Sequence, residues 1–189
     1  MSQPRFLTGF PKGMFYIRLM IHVFCRYALE VLKGKLAAGD FVRLMYRLIL
    51  LLKVVVSNKV VRIGDTYKLE LYIPAYPTTG FWETIGKFIR SDPGPATVVF
   101  SMTKVCGYKC PHCYQRNDTG ADLDMDLMKK AVRGMEEIGV TMFDIEGGEP
   151  LLQFDRLLDL LSAFDGKREI WVNTTGHLLT PEKARRLKE

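Results

Sequence analysis

The chain has 189 residues, of which 48% are hydrophobic and 25% are charged. This composition excludes a disordered polypeptide and fits one domain of ordinary size, with room for an appendage. Residues 1–90 carry 14 basic and five acidic side chains, a net charge of +9, whereas residues 91–189 carry 13 and 16, a net charge of −3. Because the second part is acidic, the protein is not uniformly nucleic-acid-like, and we expect no nucleic-acid partner.

The first 95 residues predict a basic, mostly helical region that ends in a linker. Residues 1–13 are expected to be loose, and residues 60–73 to form a β-hairpin. The other predicted elements are helices over residues 14–33, 41–56 and 81–90. The longest apolar run in the second helix is about nine residues, against the ~20 that a bilayer requires, so we predict no transmembrane segment.

The first two predicted helices carry many Arg and Lys side chains beside apolar ones. We expect them to form a hairpin that packs on the rest of the protein or on a partner. The alternative is peripheral contact with an anionic membrane surface, which basic amphipathic helices favour.

After a Pro- and Gly-rich boundary at residues 91–95, strands and helices alternate. The predicted strands are residues 97–103, 140–146 and 169–173, and the predicted helices cover residues 127–138 and 154–164 and begin again at Pro181. This alternation predicts an α/β fold with a parallel sheet, and ligand chemistry at the C-terminal strand ends. Since only three such units are present, we expect a fragment, or a chain that needs a partner to complete its barrel.

The four cysteines are unevenly placed: Cys25 stands alone, whereas Cys106, Cys110 and Cys113 fall within eight residues. The start of the chain lacks the features of a signal peptide, so we expect a cytoplasmic protein with reduced thiols. Clustered reduced cysteines then predict a metal site. Cys25 lies in an apolar helix and is expected to be a buried small hydrophobe.

Three thiolates in one loop can hold three irons of a cubane cluster, which leaves the fourth iron open to a small molecule. Zinc is the competing metal, in a Cys3His site completed by His112 or His22. His112 adjoins Cys113, however, and binding both to one tetrahedral ion would strain the loop.

The spacing C-x3-C-x2-C just past a strand resembles that of the radical S-adenosylmethionine (SAM) superfamily. Two further segments extend the resemblance: Gly147-Gly148-Glu149-Pro150 is similar to the Gly-Gly-Glu-Pro of the family's second strand, and Asn173-Thr174-Thr175-Gly176 to the turn after its third. The resemblance covers residues 97–189. It implies a radical SAM core over residues 96–189, the first three units of a partial (β/α) barrel, apparently truncated after the third.

The resemblance also implies the ligands. Cys106, Cys110 and Cys113 would hold a [4Fe–4S] cluster, and SAM would bind at its open iron. The residues implied to contact SAM are His112, Gly147, Gly148, Glu149, Pro150, Asn173 and Thr174. His112 stands where the family usually has an aromatic residue near the adenine.

Separate physical reasons support some of these assignments. Gly147 and Gly148 lack side chains, so their backbone can approach a ligand closely. Glu149 is expected to orient that loop or to accept from the amino group of SAM, and Pro150 to begin the next helix. Asn173 and Thr174 are either cofactor contacts or parts of a turn that their own side chains cap.

By the same resemblance, a reduced cluster cleaves SAM into methionine and a 5′-deoxyadenosyl radical, which removes a hydrogen atom from the substrate. A one-electron donor of the flavodoxin or ferredoxin type is implied. The Cys-Pro-His-Cys-Tyr form is similar to the branch with peptide-modifying maturases and the molybdenum-cofactor cyclase, and the basic helices suit a membrane lipid, so we expect a peptide or lipid substrate. The alternative is a catalytically incompetent fragment or a metal-binding interaction module.

Overall fold

A computed structural model describes residues 5–90, 94–115, 117 and 120–188. The chain divides into two compact units, residues 1–94 and residues 95–189, each with its own hydrophobic core. Of the predicted boundary segment, residues 91–93 lie outside the described residues.

The first unit combines three helices with a small antiparallel sheet. Its elements in chain order are β1 (Arg5–Leu7), α1 (Gly9–Leu32), α2 (Ala38–Val55), β2 (Val60–Ile63), β3 (Thr66–Lys68) and α3 (Thr79–Lys87). The sheet has the strand order β1-β2-β3, so the predicted hairpin is extended by a strand that was expected to be loose. Helix α1 begins five residues earlier than predicted, because Pro11 is tolerated in a first turn, where the missing N–H is not needed.

Helix α1 is apolar on two sides. Its inward side buries Phe15, Tyr16, Leu19, Val23 and Tyr27. Its outward side exposes six large apolar side chains at helical spacing, here called the apolar stripe: Phe10, Met14, Ile17, Ile21, Phe24 and Leu32. None of the helices in the described part of the chain is long and apolar enough to cross a membrane.

Cys25 is exposed, so the prediction that it is a buried hydrophobe is wrong. The reason is its position on α1. Successive helical residues are separated by about 100°, so Cys25 is turned about 200° away from both Val23 and Tyr27, which face the core.

The second unit is a parallel α/β layer. Its elements are β4 (Thr97–Ser101), α4 (Met125–Glu137), β5 (Met142–Glu146), a 3₁₀ helix (Pro150–Gln153), α5 (Phe154–Leu161), β6 (Glu169–Val172) and α6 (Pro181–Arg186). The strand order is β4-β5-β6 and both pairings are parallel, which confirms the predicted parallel sheet. The barrel that the sequence suggests stays a prediction.

One face of this sheet packs against α4 and α5. Phe100, Phe143 and Ile145 join Val132 and Leu157 in the core of the unit, and the last four are fully buried. Helix α4 is capped by Asp124, whose side chain accepts hydrogen bonds from Asp126 N and Leu127 N, and it is followed by Gly139 at φ +88°. These packed helices hold the strands in register, so the strand ends form one edge.

Because side chains alternate along a strand, the other residues of the sheet point away from α4 and α5. This second face carries Val99 and Ser101 on β4, Asp144 and Glu146 on β5, and Trp171 on β6. In the register, Val99 and Trp171 lie opposite Asp144, and Ser101 lies opposite Glu146.

Candidate functional site at the strand ends

The cysteine-bearing segment, here called the cysteine loop (residues 106–115), follows β4 closely. Cys106 and Cys113 are exposed and Cys110 is half-buried, and all are free thiols. Tyr108 N donates to Cys106 Sγ at 3.5 Å, and Cys113 N donates to Cys110 O at 3.2 Å. In the described parts of the chain, no group of three or more His, Cys, Asp or Glu side chains is arranged around a common point as metal ligands.

A run of parallel backbone hydrogen bonds continues past the end of the sheet and leads to the cysteine loop. Met102 N donates to Glu146 O at 2.8 Å, Gly148 N to Thr103 O at 2.7 Å, and Glu149 N to Val105 O at 2.8 Å. The Gly-Gly-Glu turn therefore fixes the three residues that immediately precede Cys106.

Gly147 and Gly148 make this approach possible. A Cβ atom on Gly147 would overlap Thr103 O and lie 2.9 Å from Thr103 N, and one on Gly148 would overlap Val105 O. From the sequence, we expected these glycines to let the backbone approach a ligand closely. In the structure the close neighbour is the backbone of the chain itself, so the glycines are needed to hold the cysteine loop in place.

Glu149 is a buried carboxylate, only 1% exposed, with four hydrogen bonds. Oε1 accepts from Leu151 N at 3.0 Å and from Thr174 Oγ1 at 2.5 Å, whereas Oε2 accepts from Thr175 N at 2.9 Å and Thr175 Oγ1 at 2.7 Å. Burial acts to raise the pKa of Glu149, but the hydrogen bonds from Thr174, Leu151 and Thr175 outweigh it and lower the pKa below its ordinary value. Glu149 thus ties the turn after β5 to the turn after β6.

Asn173 and Thr174 follow β6, and their sequence left open whether they contact a cofactor or form a turn. Both residues lie at the surface. Asn173 extends the sheet through its N–H, which donates to Ile145 O at 2.8 Å. Thr174 Oγ1 donates to Glu149 and accepts from Gly176 N at 3.1 Å, as in a self-capped turn. Thr175 makes two bonds to Glu149 and was missed by sequence reasoning, because nothing in the sequence distinguishes it from Thr174.

The remaining predicted site residues are His112 and Pro150, implied to contact SAM, and His22, a ligand of the alternative zinc site. His112 is exposed in the cysteine loop. His177 meets Tyr108 edge to face, with ring centroids 6.4 Å apart, which links the cysteine loop to the segment after β6. His22 lies in the first unit, where its Nδ1 is 2.6 Å from Tyr76 Oη. Pro150 is the first residue of the 3₁₀ helix, as its fixed φ favours.

Asp122 and Arg156, which sequence reasoning missed, fasten the base of the cysteine loop. Asp122 accepts from Thr103 Oγ1 at 2.6 Å and from Lys104 N at 2.7 Å, and the Arg156 guanidinium donates to Met102 O at 3.1 Å. Burial raises the pKa of Asp122, but these hydrogen bonds and the Arg156 charge outweigh it and lower that pKa. The contacts span up to 54 residues, so no local spacing reveals them.

The strand ends of this parallel α/β unit bring together a three-cysteine loop, a Gly-Gly-Glu-Pro turn and a Thr-rich turn. Residues 100–189 match the model of the Radical SAM superfamily. This match extends from β4 to the end of the second unit and confirms the resemblance seen in the sequence. Members of the family generally use a [4Fe–4S] cluster and SAM.

Similar proteins with curated names include several cyclases. The chain is 38% identical over 94 residues to the GTP 3′,8-cyclase of Synechococcus sp. (strain CC9902), a match that covers 47% of this chain and 27% of that protein. It is 33% identical over 91 residues to the probable GTP 3′,8-cyclase of Methanocella arvoryzae, with 47% and 29% covered. The chain thus spans less than a third of the length of these relatives, and their names do not support a peptide or lipid substrate.

Replacing Gly148 by Ala is expected to destabilise the second unit by about 1–3 kcal/mol, because the new methyl group must displace the Val105 carbonyl. The matched control is Gly134→Ala in α4, where a Cβ meets nothing within 4 Å and the helix gains up to ~1 kcal/mol. Urea unfolding of the two variants measures the difference. Equal stability of the two variants would contradict the close approach described above.

Replacing Glu149 by Gln is expected to cost about 1–3 kcal/mol at pH 7, because an amide NH₂ then faces donors that it cannot pair. Since the folded-state pKa of Glu149 is lowered, its stabilisation is full above the ordinary value of 4.5 and is lost as the pH falls through the folded-state pKa. The stability gap between wild type and variant should therefore shrink below about pH 4.5.

Unfolding free energies at pH 7 and in steps below pH 4.5 test this prediction. Glu137→Gln, at an exposed position of α4, is the control and should leave stability nearly unchanged at pH 7. A gap that stays constant down to acid pH would show that the charge of Glu149 is not what holds the two turns together.

Proposed function

We propose that this chain supplies the cofactor-binding part of a radical SAM enzyme, in which Cys106, Cys110 and Cys113 hold a [4Fe–4S] cluster. The observation that carries the proposal is the fastening of the cysteine loop to the Gly-Gly-Glu turn, within a segment that matches the family. Residues 96–189 would form the first three units of a partial (β/α) barrel, behind the basic region of residues 1–95.

The residues present fit such a cluster. Three thiols are free and reachable from solvent, and thiolates are the ligands that iron–sulfur clusters use. A backbone N–H already donates to Cys106 Sγ, and such donors to ligand sulfurs tune a cluster's potential. The chemistry supplied when cluster and SAM are bound is one-electron reductive cleavage of SAM to a 5′-deoxyadenosyl radical, with the electron from a flavodoxin- or ferredoxin-type donor.

The structure also supports roles for the residues around the cysteines. The carboxylate of Glu149 has about four acceptor positions, and four donors occupy them, so Glu149 acts by positioning the turn. The N–H groups of Gly148 and Glu149 are likewise engaged by Thr103 and Val105. An ammonium group of SAM would then be received by the carbonyl oxygens of the Gly147–Gly148 segment. We also propose that His112, which is exposed in the cysteine loop, packs against the adenine of bound SAM.

The reaction proposed for the whole protein is hydrogen abstraction from a substrate. We keep a peptide or lipid only as substrates to assay, since the named relatives are GTP 3′,8-cyclases and GTP is the first compound to test. A protein that binds metal without cleaving SAM would instead be an interaction module, and the same assay separates the two.

Anaerobic reconstitution with iron and sulfide is expected to give about four irons per chain and, with reductant and SAM, 5′-deoxyadenosine. Cys110→Ala should lose the cluster and the nucleoside product, whereas Cys25→Ala, an exposed cysteine of the first unit, should keep both. Iron analysis and chromatography of the products give the readout. One zinc per chain with no nucleoside product, or a full cluster in Cys110→Ala, would overturn the ligand assignment.

The apolar stripe favours a second, peripheral role for α1. Large apolar side chains such as Ile21 and Phe24 are 57% and 49% exposed, and the region that carries them has a net charge of +9. An apolar strip beside basic side chains suits the surface of an anionic membrane. We propose a cytoplasmic protein that contacts the membrane from that side.

Flotation with vesicles rich in phosphatidylglycerol tests this role. Wild type should float with anionic vesicles but not with neutral ones, and Ile21→Asp together with Phe24→Asp should abolish flotation. Leu127→Asp, at an exposed position of α4, is the control and should float as wild type does. Absence of wild-type binding to anionic vesicles would remove the membrane proposal.

A further inference from the structure

Two exposed aromatic side chains meet outside the set of residues assigned to the cluster and to SAM: Tyr108 of the cysteine loop and His177 of the segment after β6. Their ring centroids are 6.4 Å apart and their planes lie at 89° to each other. Aromatic pairs favour this edge-to-face arrangement, so the two rings attract each other. The pair joins the part of the loop between Cys106 and Cys110 to a different strand end.

The turn after β6 holds His177 in place. His177 N donates to Thr175 Oγ1 at 3.5 Å. The residue before it, Gly176, lies at φ +75°, and its N–H donates to Thr174 Oγ1 at 3.1 Å. The N–H and the hydroxyl of Thr175 are themselves bonded to the buried carboxylate of Glu149. His177 is therefore attached, through Thr175, to the carboxylate that joins the turns after β5 and β6.

On the other side of the contact, Tyr108 is bonded to a cysteine. Its backbone N–H donates to Cys106 Sγ at 3.5 Å. The residue between the two is Gly107, which has a wide choice of backbone conformations and stands in open space, since an added Cβ would meet nothing within 4 Å. Because the backbone at Gly107 is so little confined, the ring contact with His177 is what holds the Tyr108 N–H against the sulfur.

We propose that His177 is a positioning residue for the cluster ligand Cys106: by holding the ring of Tyr108, it keeps the Tyr108 N–H on the ligand sulfur. This inference rests on the proposed function, because it takes Cys106 as a ligand of the [4Fe–4S] cluster. Hydrogen bonds to ligand sulfurs are among the factors that set a cluster's reduction potential, and a donor favours the reduced, more negative state. The turn after β6 thus raises the potential of a cluster bound past the end of β4.

Alkylation of the thiols in the full chain without cluster tests the contact itself. His177→Ala should raise the rate at which iodoacetamide modifies Cys106 by at least about threefold relative to the exposed Cys25, because the sulfur loses its donor and the loop becomes mobile. Mass spectrometry of the modified peptides measures both rates. Leu179→Ala, which shortens another exposed side chain of the same segment, is the matched control and should leave the ratio of the rates unchanged. An unchanged ratio in His177→Ala would overturn the proposal.

Further variants separate the ring contact from a general disturbance of the fold. His177→Phe keeps an aromatic ring and should restore the wild-type ratio of alkylation rates, whereas His177→Leu should behave as His177→Ala does. In a Tyr108→Ala background, which keeps the backbone N–H, His177→Ala should have no additional effect, because its partner ring is gone. An effect of the same size with and without the Tyr108 ring would show that His177 acts elsewhere, and the proposal would fail.

Redox titration of the anaerobically reconstituted chain without SAM, followed by electron paramagnetic resonance, tests the consequence for the cluster. The midpoint potential should be more negative in His177→Ala than in wild type, and His177→Phe should match wild type. An equal or less negative potential in His177→Ala would overturn the role toward the cluster. If wild type assembles no cluster, the proposed function is overturned and the ligand role of Cys106 with it. Unchanged alkylation rates would instead overturn the contact alone, so the two failures are distinguishable.

Discussion

The close contact between residues 103–105 and the Gly147–Glu149 turn determines how the rest of the second unit is arranged. Three parallel backbone hydrogen bonds run past the end of the sheet, and two positions without side chains let the strands approach that closely. The cysteine loop begins at the next residue. Its starting point is thus fixed by main-chain geometry, before any ligand contributes, and it is reinforced from the other side by Asp122 and Arg156.

Three carboxylates near this edge show how environment separates their roles. Glu149 is saturated with donors and joins two turns, and Asp122 joins the two ends of the segment that contains the cysteine loop. Both have lowered pKa values, because their hydrogen bonds outweigh the effect of burial. Asp144 is buried like Glu149, but among the described residues its Oδ1 atom has no hydrogen-bond partner. Glu149 and Asp122 thus show the usual arrangement, in which a buried or half-buried carboxylate is paired with hydrogen-bond donors.

The sequence was informative where the chemistry is local. Period-3.6 apolar spacing located α4 and α5, and alternation of strands and helices predicted the parallel sheet. The order of motifs along the chain identified the family. The prediction for Cys25 was wrong, because periodicity identifies an apolar helix but does not show which of its two apolar sides is buried.

What sequence reasoning missed depends on contacts between distant residues. Strand β1 forms only because residues 60–62 lie beside it, more than fifty positions later. Thr175 and Asp122 have ordinary turn and cap chemistry in the sequence, and only the fold shows that they bond to Glu149 and Thr103. The reason for the two glycines also became clear only from the neighbouring backbone.

The bonds from Glu149 to Thr174 and Thr175 set an order of events during synthesis of the chain. They join residues 25 and 26 positions apart, and the strand pairs they secure are parallel and non-local, a class of contact that forms slowly. The thiols therefore leave the ribosome well before the residues that complete their platform. Until residue 175 has been made and the third strand has docked, the cysteines are attached to a mobile segment. Metal delivered earlier than that would meet an unorganised set of ligands, so maturation of the site is expected to follow folding of the second unit.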